Sequence, residues 1–116
     1  MMRMTTLEMP RSLVNLPEQE QLVLLRAGLY EAGRARLRQL EADIVESEAE
    51  VQHFESRYGM PFDQFETEAL PMLDTLQAHE DYNDWFFWQS VLVDRRSLVA
   101  KINGAMELLD EEFSGQ

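Results

Sequence analysis

The chain has 116 residues, no cysteine, and 22 aspartate and glutamate residues against 10 lysine and arginine residues, which gives a net charge of -12. This length suits one domain, and an apolar fraction of 45% is enough for a hydrophobic core. The lack of cysteine excludes disulfides, thiol catalysis and cysteine-ligated metals, and no apolar run is long enough for a membrane span. The composition predicts a soluble, cytoplasmic, acidic protein.

The negative charge is concentrated in one part of the chain. Residues 41–84 contain thirteen acidic residues and one arginine, whereas residues 1–40 contain six arginines and four acidic residues. Such a block is either a solvated face or a surface that receives a basic partner. The net charge opposes nucleic acid as the main ligand. A weak DNA contact is an alternative only for the N-terminal third, where Arg34, Arg36 and Arg38 form a basic cluster.

The first third of the chain predicts an arm followed by a long helix. Residues 1–16 predict an N-terminal arm, either a short strand that pairs with a second copy or a disordered segment. Pro17 suits the first position of a helix, and Gly59 with Pro61 is a strong stop, so we predict a helix over 17–58. Its seam, with a spacing of three and four residues, is Tyr30, Gly33, Leu37, Leu40, Ile44, Ser47, Val51, Phe54 and Tyr58.

A second long helix is predicted over 83–113, with Asp81, Asn83 and Asp84 as candidate N-caps. Its seam keeps the same spacing and consists of Trp85, Trp88, Leu92, Arg95, Val99, Ile102, Met106, Leu109 and Phe113. The connector, 59–82, contains a short helical pattern that starts near Pro61 or Asp63 and is limited by Pro71.

The two seams align when the chain folds back on itself, which predicts an all-α, long antiparallel two-helix hairpin over 17–116 with a short connecting helix. Ser47 and Arg95 then lie opposite each other and form a polar layer, in which Arg95 needs a partner. Candidate partners are Glu46, Glu48 and Glu50. Offset apolar stripes predict that the hairpin pairs into a homodimeric helical bundle; they are Leu22, Leu25 and Leu29 on one helix and Val91, Leu98 and Ala105 on the other.

The run Trp85-Phe86-Phe87-Trp88 is the most unusual feature of the sequence. Four successive helical residues sweep about 300° around the axis, so they cannot all face one helix. We expect Phe87 to pack on Phe62 or Phe65 of the connector and Phe86 to remain exposed. The run forms either a thick aromatic core at the closed end of the hairpin or an interface with a partner.

No motif for catalysis or cofactor binding occurs in the chain, so the sequence predicts neither an enzyme nor a bound cofactor. Glu50 and His53 have the Glu-x-x-His spacing of di-iron helical bundles, and a small metal-binding bundle is one alternative. The acidic run from His79 to Asp84 lacks the glycine and the closing glutamate of a calcium loop. It is therefore interpreted as the start of a helix.

Two segments carry a resemblance to a known family. Residues 54–66 read FESRYGMPFDQFE, and residues 80–85, after an acidic stretch, read EDYNDW. Over roughly residues 37–112 the chain resembles small helical prokaryotic type II antitoxins of the TumA kind. Members of that family have shorter acidic linkers and usually lack an extension like residues 1–25.

The resemblance implies a non-enzymatic inhibitor that binds and neutralises a basic, RNA-cleaving toxin. Phe62, Trp85 and Phe86 are the expected anchors of the partner-binding surface. The expected charge contacts are Glu66, Glu68, Glu80 and Asp81. A structural coiled-coil adaptor and a nucleic-acid mimic are alternatives within the same broad class.

Overall fold

The computed structural model describes residues 11–114, and every element in this range is helical, as predicted. The elements are α1 (Arg11–Val14), α2 (Glu18–Tyr58), α3 (Phe62–Gln64), a π-helical segment (Phe65–Ala69), α4 (Leu70–Leu73) and α5 (Leu76–Ser114). Of the predicted arm, Arg11–Val14 is a helical turn rather than a strand, and residues 1–10 lie outside the described range.

Helix α2 ends where the sequence predicts, at a left-handed glycine. Gly59 has φ of 68°, and its N–H donates to the carbonyl of Glu55 at 2.7 Å. A residue with a Cβ is strained in this conformation, whereas glycine adopts it freely. Gly59 therefore sets the point at which the chain leaves α2.

We expect Gly59→Ala to lower the free energy of unfolding by about 1–2 kcal/mol, because alanine disfavours the left-handed conformation. Gly28→Ala is the matched control, since Gly28 lies inside α2 with open space around its missing Cβ. That change should instead raise stability by up to about 1 kcal/mol through helix propensity. Urea unfolding followed by circular dichroism measures the stability of both variants. Equal effects of the two changes would contradict the role of Gly59 as the residue that ends α2.

The connector is helical, as predicted, but shorter than expected. Pro61 precedes α3, and Pro71 lies in the first turn of α4. Because the ring of Pro71 clashes with the carbonyl four residues earlier, the preceding turn widens into the π-helical segment. The chain then reverses at Asp74, which has φ of 37°.

Helix α5 begins at Leu76, not near Asn83, which corrects the predicted start of the second long helix. Thr75 provides the cap, because its Oγ1 accepts a hydrogen bond from the N–H of Ala78 at 3.1 Å. The predicted caps Asp81, Asn83 and Asp84 lie inside α5 instead. The run from His79 to Asp84 is thus helix interior.

Contacts between α2 and α5 join residues in opposite order along the chain. Tyr30 Oη donates to Asp110 at 2.9 Å at one end, and the rings of Phe54 and Trp85 stack at 5.7 Å near the other. Between these points, Arg96 donates to Glu48 at 2.5 Å. The helices lie side by side in antiparallel order, and the molecule measures 68 × 35 × 18 Å.

Ser47 and Arg95 lie near the middle of this helix pair. Ser47 is fully buried, and its hydroxyl donates to the carbonyl of Asp43 in its own helix at 2.8 Å. Arg95 Nε donates to Asp43 Oδ2 at 3.2 Å and also pairs with Asp94. The ion-pair partner of Arg95 on α2 is thus Asp43 rather than the predicted Glu46, Glu48 or Glu50, because a side chain one turn before Ser47 reaches across the seam.

The hydrophobic core is concentrated where α2, α3, the π-helical segment and α5 meet. Its buried cluster is Val51, Phe54, Phe62, Phe65, Trp85 and Leu92. At the other end of α2 the apolar side chains are largely exposed; they include Val23, Leu24, Leu25 and Leu29. No helix within residues 11–114 is long and apolar enough to cross a membrane.

Candidate partner-binding site

Trp85 is the centre of an aromatic cluster at the closed end of the helix pair. Its side chain is 0% exposed, and its ring stacks on Phe54 and on Tyr58, with centroids 5.7 and 6.0 Å away. Phe62 and Phe65 of the connector meet the same ring at 5.4 and 5.1 Å. The cluster therefore fastens the connector to both long helices.

Asp81 is a buried acidic residue at the same end of the molecule, and three side chains contact its carboxylate. It is 4% exposed and accepts hydrogen bonds from Tyr58 Oη at 2.5 Å and from Gln77 Nε2 at 2.9 Å. Arg57 Nε lies 3.4 Å from the same carboxylate. Neighbouring residues at the end of α2 thus hold the first turns of α5 through one acidic side chain.

Burial and the hydrogen bond to Asp81 raise the pKa of Tyr58 to about 12. A folded-state pKa above that of the unfolded chain means that the folded state retains the phenol proton longer. The stability contributed by Tyr58 is therefore complete below about pH 10, the ordinary tyrosine pKa, and is lost progressively as the pH rises through about 12.

We expect the free energy of unfolding to fall more steeply between about pH 10 and about pH 12 in the native protein than in Tyr58→Phe, since phenylalanine has no phenol proton to lose. Urea unfolding at several pH values in this window measures the slope. Tyr30 and Tyr82 also have raised pKa values, so some slope remains in the variant. Equal slopes in both proteins would contradict the role of Tyr58.

Three of the predicted contact residues are buried within the chain. Trp85 and Phe62 pack in the aromatic cluster, and Asp81 is enclosed by its hydrogen bonds. None of the three presents its side chain at the surface, which corrects the predicted contact surface. The seam spacing of Trp85 favours the core, and an isolated two-helix pair has few other side chains with which to build one.

The remaining predicted contact residues are at least partly accessible. Glu68 and Glu80 are exposed, and Glu66 is half-buried because its carboxylate accepts a hydrogen bond from Tyr82 Oη at 2.6 Å. Phe86 is about half exposed, as predicted, although one side of its ring lies 6.2 Å from those of Phe62 and Tyr82.

Phe87 differs from its predicted place. It was expected to pack on Phe62 or Phe65, but its ring lies against Trp88 at 5.1 Å, and its side chain is about half exposed. Phe86, rather than Phe87, faces Phe62 of the connector. Neither phenylalanine is fully buried.

An apolar patch at the turn between α4 and α5 was not predicted as a contact surface. Met72 and Leu76 flank this turn and are 83% and 77% exposed, and Leu73 beside them is also exposed. We call these three residues with the exposed acids Glu68, Asp74 and Glu80 the acidic tip. The signal was present in the sequence, since residues 70–76 contain four large apolar side chains, more than one short helix can bury.

Two of the alternatives raised by the sequence concern Glu50 with His53 and the basic cluster of α2. His53 is exposed and meets the ring of Phe54 edge-on, and residues 11–114 contain no group of three or more potential metal ligands around Glu50 or elsewhere. In the basic cluster, Arg34 lies 4.0 Å from Glu31 and Arg36 donates to Gln39. These arginines are thus paired along their own helix.

Comparisons with known proteins assign no family to the chain. No protein-family model matches the chain, and searches of the curated proteins and of the solved structures return no significant match.

Proposed function

We propose that this chain is a non-enzymatic protein-binding module, an antitoxin-like inhibitor whose acidic tip binds a basic, RNA-cleaving toxin. The observation that carries the proposal is an exposed apolar patch, Met72, Leu73 and Leu76, in a segment that also has exposed acidic side chains. The negative charge of the chain is concentrated in residues 41–84, which include this segment. The family resemblance supports the same class of partner.

The acidic tip has the composition of a docking surface. Met72 and Leu76 are large apolar side chains that bury little within the chain. Exposed apolar side chains with a polar rim are typical of protein interaction sites. Leu76 and Glu80 lie one helical turn apart on α5, so an apolar and a charged contact share one face.

The charge of the tip favours a basic partner. Glu68 and Glu80 are exposed, and the Asp74 side chain is 95% exposed and lies 3.9 Å from His79 Nε2. A protein that cleaves RNA has a basic groove for phosphates. Acidic side chains compete with phosphates for such a groove and speed the encounter of the two proteins.

We further propose that the antiparallel helix pair acts as a hairpin that forms a homodimer. An isolated pair of helices encloses a small interior, and several large apolar side chains along both long helices are exposed. A second copy would cover part of this surface. Two tips in one assembly would also raise the apparent affinity for a partner by multivalency.

The test is inhibition of RNA cleavage by the protein encoded in the reading frame adjacent to this one. We expect the native chain to bind that protein and stop cleavage. The triple variant Glu68→Gln, Asp74→Asn, Glu80→Gln should bind about tenfold more weakly, since each exposed ion pair contributes roughly 0.5 kcal/mol. Isothermal titration calorimetry measures the affinity directly.

A second triple variant is the matched control. Glu107→Gln, Glu111→Gln and Glu112→Gln remove the same charge from exposed positions at the far end of α5. This protein should bind nearly as well as the native chain. Equal losses in the two triple variants would refute the tip as the docking site, and absence of any inhibition by the native chain would refute the antitoxin-like function.

A further inference from the structure

A depression beside the first half of α5 shares no residue with the acidic tip. It encloses about 680 Å³ between α3 and α5, and its lining includes Phe62, Asp63, Phe86, Gln89, Val93 and Asp94. We call it the α5 groove. Phe86 and Val93 are 52% and 62% exposed, so the chain leaves large apolar contacts open there. Such a concave surface with a few polar groups is typical of a binding site.

The charge of the α5 groove is acidic. Asp63 and Asp94 line it, and no lysine, arginine or histidine of the described residues does so. Arg95 and Arg96, which follow Asp94 on α5, are held by carboxylates of α2. Asp94 also pairs with Arg95, whereas no basic side chain within residues 11–114 lies at ion-pair distance from Asp63. Asp63 is therefore the carboxylate that the groove offers to a cation from outside.

The apolar walls of the groove suit a long cationic side chain. The rings of Phe62 and Phe86 lie 6.2 Å apart with their planes at 53°, and Phe86 is half exposed. A guanidinium group is attracted to the face of an aromatic ring, while its aliphatic stem packs on neighbouring apolar side chains. Val93 lies two helical turns after Phe86 and provides such a neighbour.

Gln89 adds a hydrogen-bond acceptor that lacks a donor. It lines the groove, and its Oε1 is buried with no hydrogen-bond partner among the described residues. A buried acceptor without a donor costs free energy, so its partner is to be sought outside the chain. A donor that enters the groove can satisfy Oε1 after rotation of the terminal amide. The guanidinium of arginine carries five N–H donors and no acceptor.

We propose that the α5 groove binds an arginine side chain of the basic partner. The stem of the arginine packs on Phe86 and Val93, its guanidinium pairs with Asp63, and one N–H donates to Gln89. Arginine is favoured over lysine because its planar guanidinium both pairs with a carboxylate through two N–H bonds and stacks on aromatic rings. The inference rests on the proposed function for the identity of the partner, and it adds a second contact site to the acidic tip.

The first experiment measures affinity for the protein encoded in the adjacent reading frame by isothermal titration calorimetry. Phe86→Ala and Asp63→Asn should each weaken binding about tenfold, because each removes one contact of the arginine. The matched controls are Phe87→Ala, an exposed neighbour that does not line the groove, and Glu107→Gln, an exposed acid in the last third of α5. Both controls should bind within about twofold of the native chain, and circular dichroism confirms that all four variants are folded.

Gln89→Met separates binding from folding. Methionine keeps the length of the side chain and removes the buried amide, so the variant should be at least as stable as the native chain in urea unfolding. Its affinity for the partner should nevertheless fall about fivefold, because the arginine loses an acceptor. Unchanged affinity, or a loss of stability together with affinity, would contradict the contact between Gln89 and the partner.

A small probe tests the groove without the partner. In an NMR titration, N-acetylarginine amide at millimolar concentration should shift the backbone amide signals of Asp63, Phe86 and Val93 and leave those of Glu111 and Glu112 in place. N-acetylnorleucine amide, which has a similar stem and no charge, should cause smaller shifts. Binding of the probe is measured whether or not the adjacent protein binds, so failure of the groove and failure of the proposed function are distinguishable.

Two results would overturn the inference. Equal shifts in the groove and at the end of α5 would show that the arginine compound meets exposed acids in general. Phe86→Ala that keeps the native affinity for the partner but converts a dimer to a monomer, measured by sedimentation equilibrium, would assign the groove to a second copy.

Discussion

Replacing Trp85 by alanine is expected to lower the free energy of unfolding by about 3–5 kcal/mol, the range for large buried aromatic side chains. Trp85 is 0% exposed, and its ring contacts rings from both α2 and the connector. Small domains are stable by only about 5–15 kcal/mol. The variant therefore loses much of its total stability, which urea unfolding followed by circular dichroism measures.

Phe87→Ala is the matched control for this prediction. Phe87 is also an aromatic residue of α5, but it is 56% exposed, and its loss should change stability by no more than about 0.5 kcal/mol. Trp85→Phe should cost less than Trp85→Ala, because it retains aromatic contacts and removes the indole N–H, which is buried without a hydrogen-bond partner. Similar losses for Trp85→Ala and Phe87→Ala would contradict the described core.

Replacing Asp81 by alanine is expected to cost about 1–3 kcal/mol, because the donors that it satisfies lose their acceptor. Tyr58 Oη and Gln77 Nε2 both donate to its carboxylate, and Arg57 lies within ion-pair distance. Part of the cost is recovered because Arg57 is about half exposed and returns to water. Thermal and urea unfolding give the loss.

Asp84→Ala separates this effect from a general change of charge. Asp84 lies one turn later on α5, is exposed, and has the same charge as Asp81. Its removal should change stability by no more than about 0.5 kcal/mol. If the two variants were equally stable, the carboxylate of Asp81 would not hold the end of α2 to α5.

The helical architecture could be predicted because it depends on periodicity. The seam residues Leu40, Val51 and Phe54 of α2 and Trp85 and Leu92 of α5 are all buried. A spacing of three and four residues places such side chains on one face, whatever their neighbours are. The end of α2 could also be predicted, because Gly59 followed by Pro61 stops a helix through the backbone preferences of these two residues.

The start of α5 and the fate of Asp81 could not be predicted in this way. Aspartate is a good helix cap, and a cap is its commonest role at such a position. In the structure Tyr58, far away in sequence, binds its carboxylate, so a tertiary contact decides the outcome. Thr75 caps α5 instead and allows the helix to begin before the acidic run.

The candidate surface was predictable in charge but not in detail. The acidic block includes the segment in which we propose the docking surface, and Glu68 and Glu80 are exposed there. Seam spacing already favoured burial of Trp85. The number of large apolar side chains in residues 70–76 indicated that some would be exposed, but not that Met72 would be one of them. Which large apolar side chains remain at the surface depends on how the connector packs.

The central claim is that the acidic tip binds a basic partner through charge. The measurement that tests it most directly is the dissociation constant for the protein encoded beside this chain, determined by calorimetry over a series of salt concentrations. We expect the affinity to fall steeply as salt rises, because mobile ions screen exposed charges beyond about 8–10 Å at physiological ionic strength. The triple tip variant should show a shallower dependence. An affinity that does not change with salt would contradict the account.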